Sequence, residues 1–251
     1  MLSVLRNYKE GLHSKLVFKF SHLSRKGISA NFIHGSGIEI GGLNFALPVK
    51  PGVKVKYLDR MSADAHLNVL ASEFKRKDLV TVDIIDDGET LATVADNSQD
   101  FIIANHFIEH CRNPILAISN AIRTLRPGGV FFMAVPDKRY TFDVKRDITT
   151  CEHLLRDFKE GPDWSEEDHY FDFVSNTDRS DGCKSEEDIR KVIRELKDIN
   201  FSIHYHVWDH NAMLGLLMVL SNDLHFPFEI DLALAAQNGG NESIFVLRKK
   251  S

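Results

Sequence analysis

The sequence is short of cysteine, with three in 251 residues: Cys111, Cys151 and Cys183. An odd count without paired spacing excludes a disulfide framework and points to a reducing compartment, the cytoplasm. Long apolar runs are also missing. Leu214–Leu220, the longest near the C-terminal end, is far too short to span a bilayer. At the start, Leu16-Val17-Phe18 is cut by Lys19 and no small-residue cleavage pattern follows, so no secretory signal is expected. There is no strong excess of charge. A formal net charge of -5 gives no global drive toward nucleic acid. Internal repeats, low-complexity tracts and the G-x-G-x-x-G dinucleotide fingerprint are absent.

What remains is a chain that is 43% hydrophobic and 27% charged, long enough to bury a sizeable core. Its most informative stretch runs from Asp96 to Tyr140. Phe101–Ala104 is a short apolar run suited to a buried parallel strand. Pro114 suits the first turn of a helix, and Ile115, Ile118, Ile122 and Leu125 recur at helical spacing behind it. Pro127-Gly128-Gly129 stops that helix, and Val130–Val135 is the next buried strand. In an open α/β sheet, ligands sit beyond the carboxyl ends of strands. Asn105, His106, Glu109 and His110 follow the first strand directly and are placed there.

Earlier strands are expected over 37–43, 54–59 and 79–85, and later ones over 201–208 and 243–247. Strands separated by helical segments imply a mostly parallel sheet of seven strands with helices on both faces. Residues 1–30 are basic and read as a solvated N-terminal helical cap on one sheet edge, with a membrane-surface helix as the alternative. Residues 31–251 form the main domain. Within it, 141–185 breaks the pattern and is expected to be an irregular lid after strand five. A helix with an N-cap at Ser185 follows, and another covers 212–220.

Gly41 and Gly42 end the first strand, where glycine allows a tight turn and close approach to a ligand. Asp59 ends the second strand about twenty residues later, the distance expected of an acid that binds a ribose. With no pyrophosphate fingerprint, a nucleoside without phosphate fits better than a dinucleotide. In order, GIEIGG, YLDR, DDGETL, DNSQDFIIANHFIEH and LRPGGVFFMAVPD resemble the motif set of class I S-adenosylmethionine-dependent methyltransferases. The resemblance is closest to the methyltransferase-11-like group associated with bacterial glycosyltransferases and surface-glycan biosynthesis. The run DKRYTFD and the later HL and HY pairs match that group too.

The resemblance implies a Rossmann-like class I methyltransferase fold and S-adenosylmethionine as cofactor. Glu39 and the Gly41, Gly42 and Leu43 backbone would cradle its amino-acid part. Asp59 would accept both ribose hydroxyls, and Arg60 and Met61 would flank the adenine. Asp87 would take the adenine amino proton, with Asp86 or Asp83 as alternatives and the Gly88 amide nearby. Asn105 and His106 would lie along the methionine arm. One departure stands out: the usual third glycine of the loop is missing, and Leu43, Asn44 and Phe45 follow Gly42.

A sugar hydroxyl is a poor nucleophile and gains from a general base. His110, Asp137 and His169 are the candidates, with His153 a further one. Lys138 and Arg139 suit a phosphate or carboxylate on the acceptor. Tyr140, His153 and Tyr170 complete the expected acceptor-binding set. No metal is expected. His106-x-x-Glu109-His110 follows a strand rather than lying on a long helix. His204, His206, Asp209 and His210 show no second ligand cluster. The reading is a cytoplasmic enzyme that O-methylates a sugar or glycan precursor. Its partners would be a saccharide acceptor and glycosyltransferases of the same pathway, and it would be a monomer or homodimer. The alternatives are transfer to an amino sugar or small metabolite, and a non-catalytic methyltransferase-like binding module.

Overall fold

The computed structural model describes residues 24–70, 79–236 and 240–251. Most of the expected N-terminal cap, including Arg6, Lys9, Lys15 and Lys19, lies outside the described residues. Its last part is a helix, α1 (Arg25–Phe32), capped by the Ser24 hydroxyl.

Seven strands form one sheet: β1 (Ser36–Ile40), β2 (Lys54–Asp59), β3 (Ile84–Ile85), β4 (Gln99–Asn105), β5 (Leu125–Pro136), β6 (Phe228–Leu234) and β7 (Glu242–Lys249). The order across the sheet is β3-β2-β1-β4-β5-β7-β6. The first five strands run parallel and β7 is antiparallel to both neighbours. This is the class I methyltransferase arrangement, a Rossmann-like α/β fold. The strand order reverses between β1 and β4, which opens a crevice at their carboxyl ends.

Alternation along the central strands fixes two cores. Ile102, Ala104, Phe131 and Met133 face one side, against α3 (Pro114–Thr124) and α7 (His210–Asn222). Phe101, Ile103, Phe132 and Ala134 face the other, against Ile28 and Ile33 at α1. Helix α3 begins as its sequence dictates: Pro114 takes the first turn and the Asn113 side chain accepts from the Leu116 amide at 3.0 Å. A further helix, α2 (Ala63–Leu70), follows β2. No described helix is long and apolar enough to cross a membrane.

The stretch after β5 is not irregular, as its composition had implied. It folds as α4 (Cys151–Glu160) and α5 (Glu166–Asn176), with α6 (Glu186–Asp198) behind them. Thr150 caps α4, and a capping box of Ser185 and Asp188 starts α6. Tyr170, Phe173, Val174, Ile193, Leu196, Ile203 and Tyr205 give this block a core of its own. Two strand assignments change. Residues 201–208 are extended but join no ladder: Tyr205 N donates to Glu109 O and Thr149 N donates to Val207 O. The sixth strand is Phe228–Leu234, on the edge beside β7. The strand expected over 79–85 shrinks to its last two residues.

Candidate functional site

The crevice at the β1–β4 switch point is a cleft of about 940 Å³. Glu39, Gly41, Gly42, Leu43, Asn105 and His106 line it, with Arg25 across from them. Glu39 is buried and accepts the Leu47 amide at 2.9 Å. Burial lifts its carboxyl to about 7. Both polar atoms of the Asn105 side chain are buried beside it, with no well-formed hydrogen bond among the described residues. Gly41 turns the chain at φ +66, with open space where a Cβ would stand. His106 also sits at positive φ, +50, a strained conformation at the mouth of the cleft. Its Nε2 is 2.7 Å from Glu242, which Arg25 also holds, at 2.8 Å.

The second set of expected cofactor residues stands at the ends of β2 and β3, outside that lining. Asp59 Oδ1 is 2.8 Å from His66 Nε2, a partner that the spacing argument missed. Arg60 is exposed, and the Met61 amide lies 3.4 Å from Asp59 Oδ1. The Asp86 carboxylate is taken up by the Thr93 amide and hydroxyl and the Asp87 amide, at 2.7–2.8 Å. It is a turn former. Asp87 spends only Oδ1, on the Glu89 amide at 2.7 Å. At Gly88 a Cβ would meet Phe107 Cζ at 2.5 Å and Ile40 Cγ2 at 2.7 Å, so only glycine fits.

Beyond His106 lies a cluster of titratable groups. Glu109 is fully buried, 3.6 Å from His106 Nδ1 and 4.0 Å from His110 Nε2. Burial pushes its carboxyl up to about 8. Neither of its oxygens accepts a hydrogen bond among the described residues. His110 is turned by the Ile203 carbonyl, 2.9 Å from Nδ1, and burial beside His204 pushes it down to about 3. His204 Nδ1 is 2.6 Å from Asp143 Oδ2. Asp143 is itself fixed by the buried Arg146, which donates to it at 2.8 Å, to Asp172 at 2.7 Å and to the His204 carbonyl at 2.9 Å. Burial opposes ionisation of Asp143, but His204 and Arg146 hold its carboxyl below the usual range.

Residues 35–180 match the methyltransferase domain family. The chain belongs to that family. Among solved structures, the methyltransferase is similar to an S-adenosylmethionine-dependent enzyme of Thermotoga maritima. They share 16% identity, with 98% of this chain and 97% of that one covered and a TM-score of 0.47. It is also similar to an S-adenosylmethionine-dependent methyltransferase of Methanosarcina mazei at 16% identity, covering 88% and 95% of the two chains, TM-score 0.45. No curated protein matches it. The cofactor of the methyltransferase is S-adenosylmethionine, and the cleft fits one end of that molecule. A buried carboxyl lifted to about 7 and an unpartnered amide suit an ammonium-bearing amino-acid group.

The expected acceptor set divides. Tyr140 is exposed, and Lys138 is bonded to the Val144 carbonyl at 3.2 Å. Asp137 is buried and clamped by Arg139 at 2.9 and 2.7 Å, so its carboxylate is no free base and Arg139 no free anion binder. Tyr170 belongs to the core of the helical block, with its hydroxyl on the Phe201 carbonyl at 3.3 Å. His169 is buried, and burial beside His153 pushes it down to about 4. It does not line the cleft; its neighbours are His153, Asp157 and His206. Among the described residues, two groups have donor atoms close enough to hold an ion: Glu109, His110 and His204, and His153, Asp157, His169 and His206. The first adjoins the cleft. Sequence reasoning expected no metal because it looked for ligands at short spacing, and these sets draw on residues up to 95 positions apart. The His204–Asp143 pair was missed for the same reason.

Proposed function

We propose that this methyltransferase acts on a hydroxyl of a sugar or nucleotide-linked glycan precursor. The observation that carries this reading is the His204–Asp143 pair, two contacts from the cofactor cleft through Glu109 and His106. An amine attacks a methyl donor as the neutral base and sheds its proton afterwards. A hydroxyl must lose its proton as it attacks, so it needs a base in place. Here a carboxylate fixes one imidazole nitrogen, and the other would take the acceptor proton. Exposed Tyr140 and Phe142 offer flat faces for a sugar ring, and Phe142 lies 4.7 Å from the His204 ring.

Bound S-adenosylmethionine supplies an electrophilic methyl group on a sulfonium. Glu39 and Asn105 would hold its amino-acid end, Asp59 its ribose and Asp87 its adenine. His106 would orient the methionine arm. His204 would take the acceptor proton, with Asp143 and Arg146 fixing its ring. His110 and Asp137, expected as bases, would act as positioning residues. We read 31–251 as one methyltransferase domain whose 141–185 segment builds the acceptor wall. The low cysteine content supports a cytoplasmic setting, and the partners proposed there are glycosyltransferases of the same pathway.

The test is mass analysis of products from a panel of nucleotide-linked sugars and amino sugars given isotopically labelled cofactor. A labelled O-methyl group is the expected product. Methylation only at nitrogen overturns the oxygen reading, and cofactor binding without any transfer favours a non-catalytic module. His204→Gln should lower kcat by about 10²–10³-fold and leave cofactor affinity unchanged.

A further inference from the structure

Away from the cleft, four side chains from three separate parts of the chain converge on one point. His153 and Asp157 are one turn apart on α4 and share a face. His169 comes from α5 and His206 from the extended segment after α6. Nε2 of His153 is 3.0 Å from Nε2 of His169 and 3.3 Å from Asp157 Oδ2. His206 Nε2 is 3.7 Å from the same oxygen. One donor atom from each of the four lies within 4.8 Å of all the others. A zinc ion with bonds of roughly 2.0–2.1 Å has tetrahedral edges of about 3.3–3.4 Å. The observed separations bracket that value.

Apart from the His153–His169 contact, which one ring N–H can bridge, hydrogen bonding among the described residues leaves this cluster incomplete. Asp157 is wholly buried, and its Oδ1 takes the Ser165 hydroxyl at 3.2 Å. Oδ2, aimed at the imidazoles, accepts no hydrogen bond from any described residue. His206 is buried as well. Its Nε2 lies 3.3 Å from the Arg112 carbonyl, while Nδ1 has no partner among the described residues. Neither tautomer of His206 satisfies both ring nitrogens from those residues. A buried carboxylate oxygen without a partner is costly unless something cationic meets it.

We propose that His153, Asp157, His169 and His206 bind one zinc-class divalent cation. Three imidazoles and one carboxylate suit zinc; calcium and magnesium take oxygen sets. Four protein ligands close the coordination sphere, which makes the site structural. It ties α4 and α5 to the segment that carries His204. Because the His206 amide lies on the Glu109 carbonyl, the ion also braces the loop after β4. This inference is independent of the acceptor chemistry proposed above, because metal content is read without turnover.

The test uses the whole chain, purified without a metal-affinity tag. Metal content is measured by elemental mass spectrometry, then zinc and cobalt(II) are titrated into chelator-treated protein. About one equivalent of tightly bound zinc is expected, with the intense visible bands of tetrahedral cobalt(II). Asp157→Asn and His169→Gln should each cut occupancy at least about tenfold, while exposed His34→Gln should leave it unchanged. If a variant fails to fold, the cobalt spectrum of the unaltered chain still decides. Less than about 0.1 equivalent under excess zinc overturns the proposal. So does undiminished zinc in folded variants of both ligands, or a weak octahedral cobalt spectrum.

Discussion

Glu39 and Asp157 are both buried carboxyls, yet their settings differ. Glu39 stands at the end of a central strand and opens onto a cleft of about 940 Å³. Asp157 is wholly buried and faces the imidazoles of His153, His169 and His206. An open cleft suits a ligand that comes and goes, with its charge at one end. A closed set of donors suits an ion that stays. The contrast is one of assembly: the cleft is built from neighbouring strand ends, whereas the Asp157 cluster draws on residues far apart in the chain.

The sharpest way to break that comparison is to remove the ion. Chelation should cost about 4 kcal/mol, the linkage expected when free zinc had stood near a thousand times Kd. For a chain of this length that is a fall in Tm of about 8–16 °C, readable by thermal denaturation with and without chelator. Cofactor affinity, measured alongside, should change by less than about threefold. A large loss of both would show that the two regions are coupled through the loop after β4.

The reverse experiment is Asp59→Ala. Two charge-assisted hydrogen bonds to a ribose are lost, so S-adenosylmethionine should bind at least about 100-fold more weakly, roughly 2.7 kcal/mol. Titration calorimetry reads this, and zinc content should stay the same. His66 has a part in the outcome, because it already holds one oxygen of Asp59. Wild-type affinity in the variant would remove Asp59 from the cofactor site.

Gly88→Ala probes the rigidity of the cofactor side. Its Cβ would stand 2.5 Å from the Phe107 ring and 2.7 Å from Ile40. Overpacking of this kind costs about 1–3 kcal/mol, or roughly 2–12 °C in Tm for this chain length. Cofactor affinity should fall with it, since the loop that carries Asp87 must shift. An unchanged melting curve would mean that Phe107 moves freely.

The same division governs what could be read from the sequence. The sheet and the cleft at its strand ends were legible because their signals are local. Pro114 and Asn113 start α3, alternation marks β4 and β5, and Asp59 follows Gly41 at a spacing set by one βαβ unit. The helical block was not. Residues 201–208 alternate because they face two packing layers, but their amides pair with Glu109 and Thr149 rather than with a strand. Strand β6 carried a readable alternation at Phe228, Ile230, Leu232 and Leu234 that was overlooked. His153 and His206 meet only because Arg146 and the block's own core fold the chain back on itself. No periodicity encodes that meeting. Tyr170 shows the opposite error, an aromatic assigned to the acceptor that fills the core instead.

The finest discrimination between the two settings comes from pH. Burial raises the Glu39 carboxyl from 4.5 to about 7 in the folded chain, so the native state favours its protonated form. The sign follows by linkage: this group's contribution to stability is fully present below about 4.5 and is lost as pH rises through about 7. An ammonium ligand needs the carboxylate. Affinity for S-adenosylmethionine should therefore climb by about tenfold between pH 6 and pH 8 and flatten above the pKa. Calorimetry across that range checks it. Glu39→Gln should bind more weakly and lose the slope, because nothing is left to ionise. If the slope survives in Glu39→Gln, Glu39 is not its source and does not meet the ammonium of the cofactor.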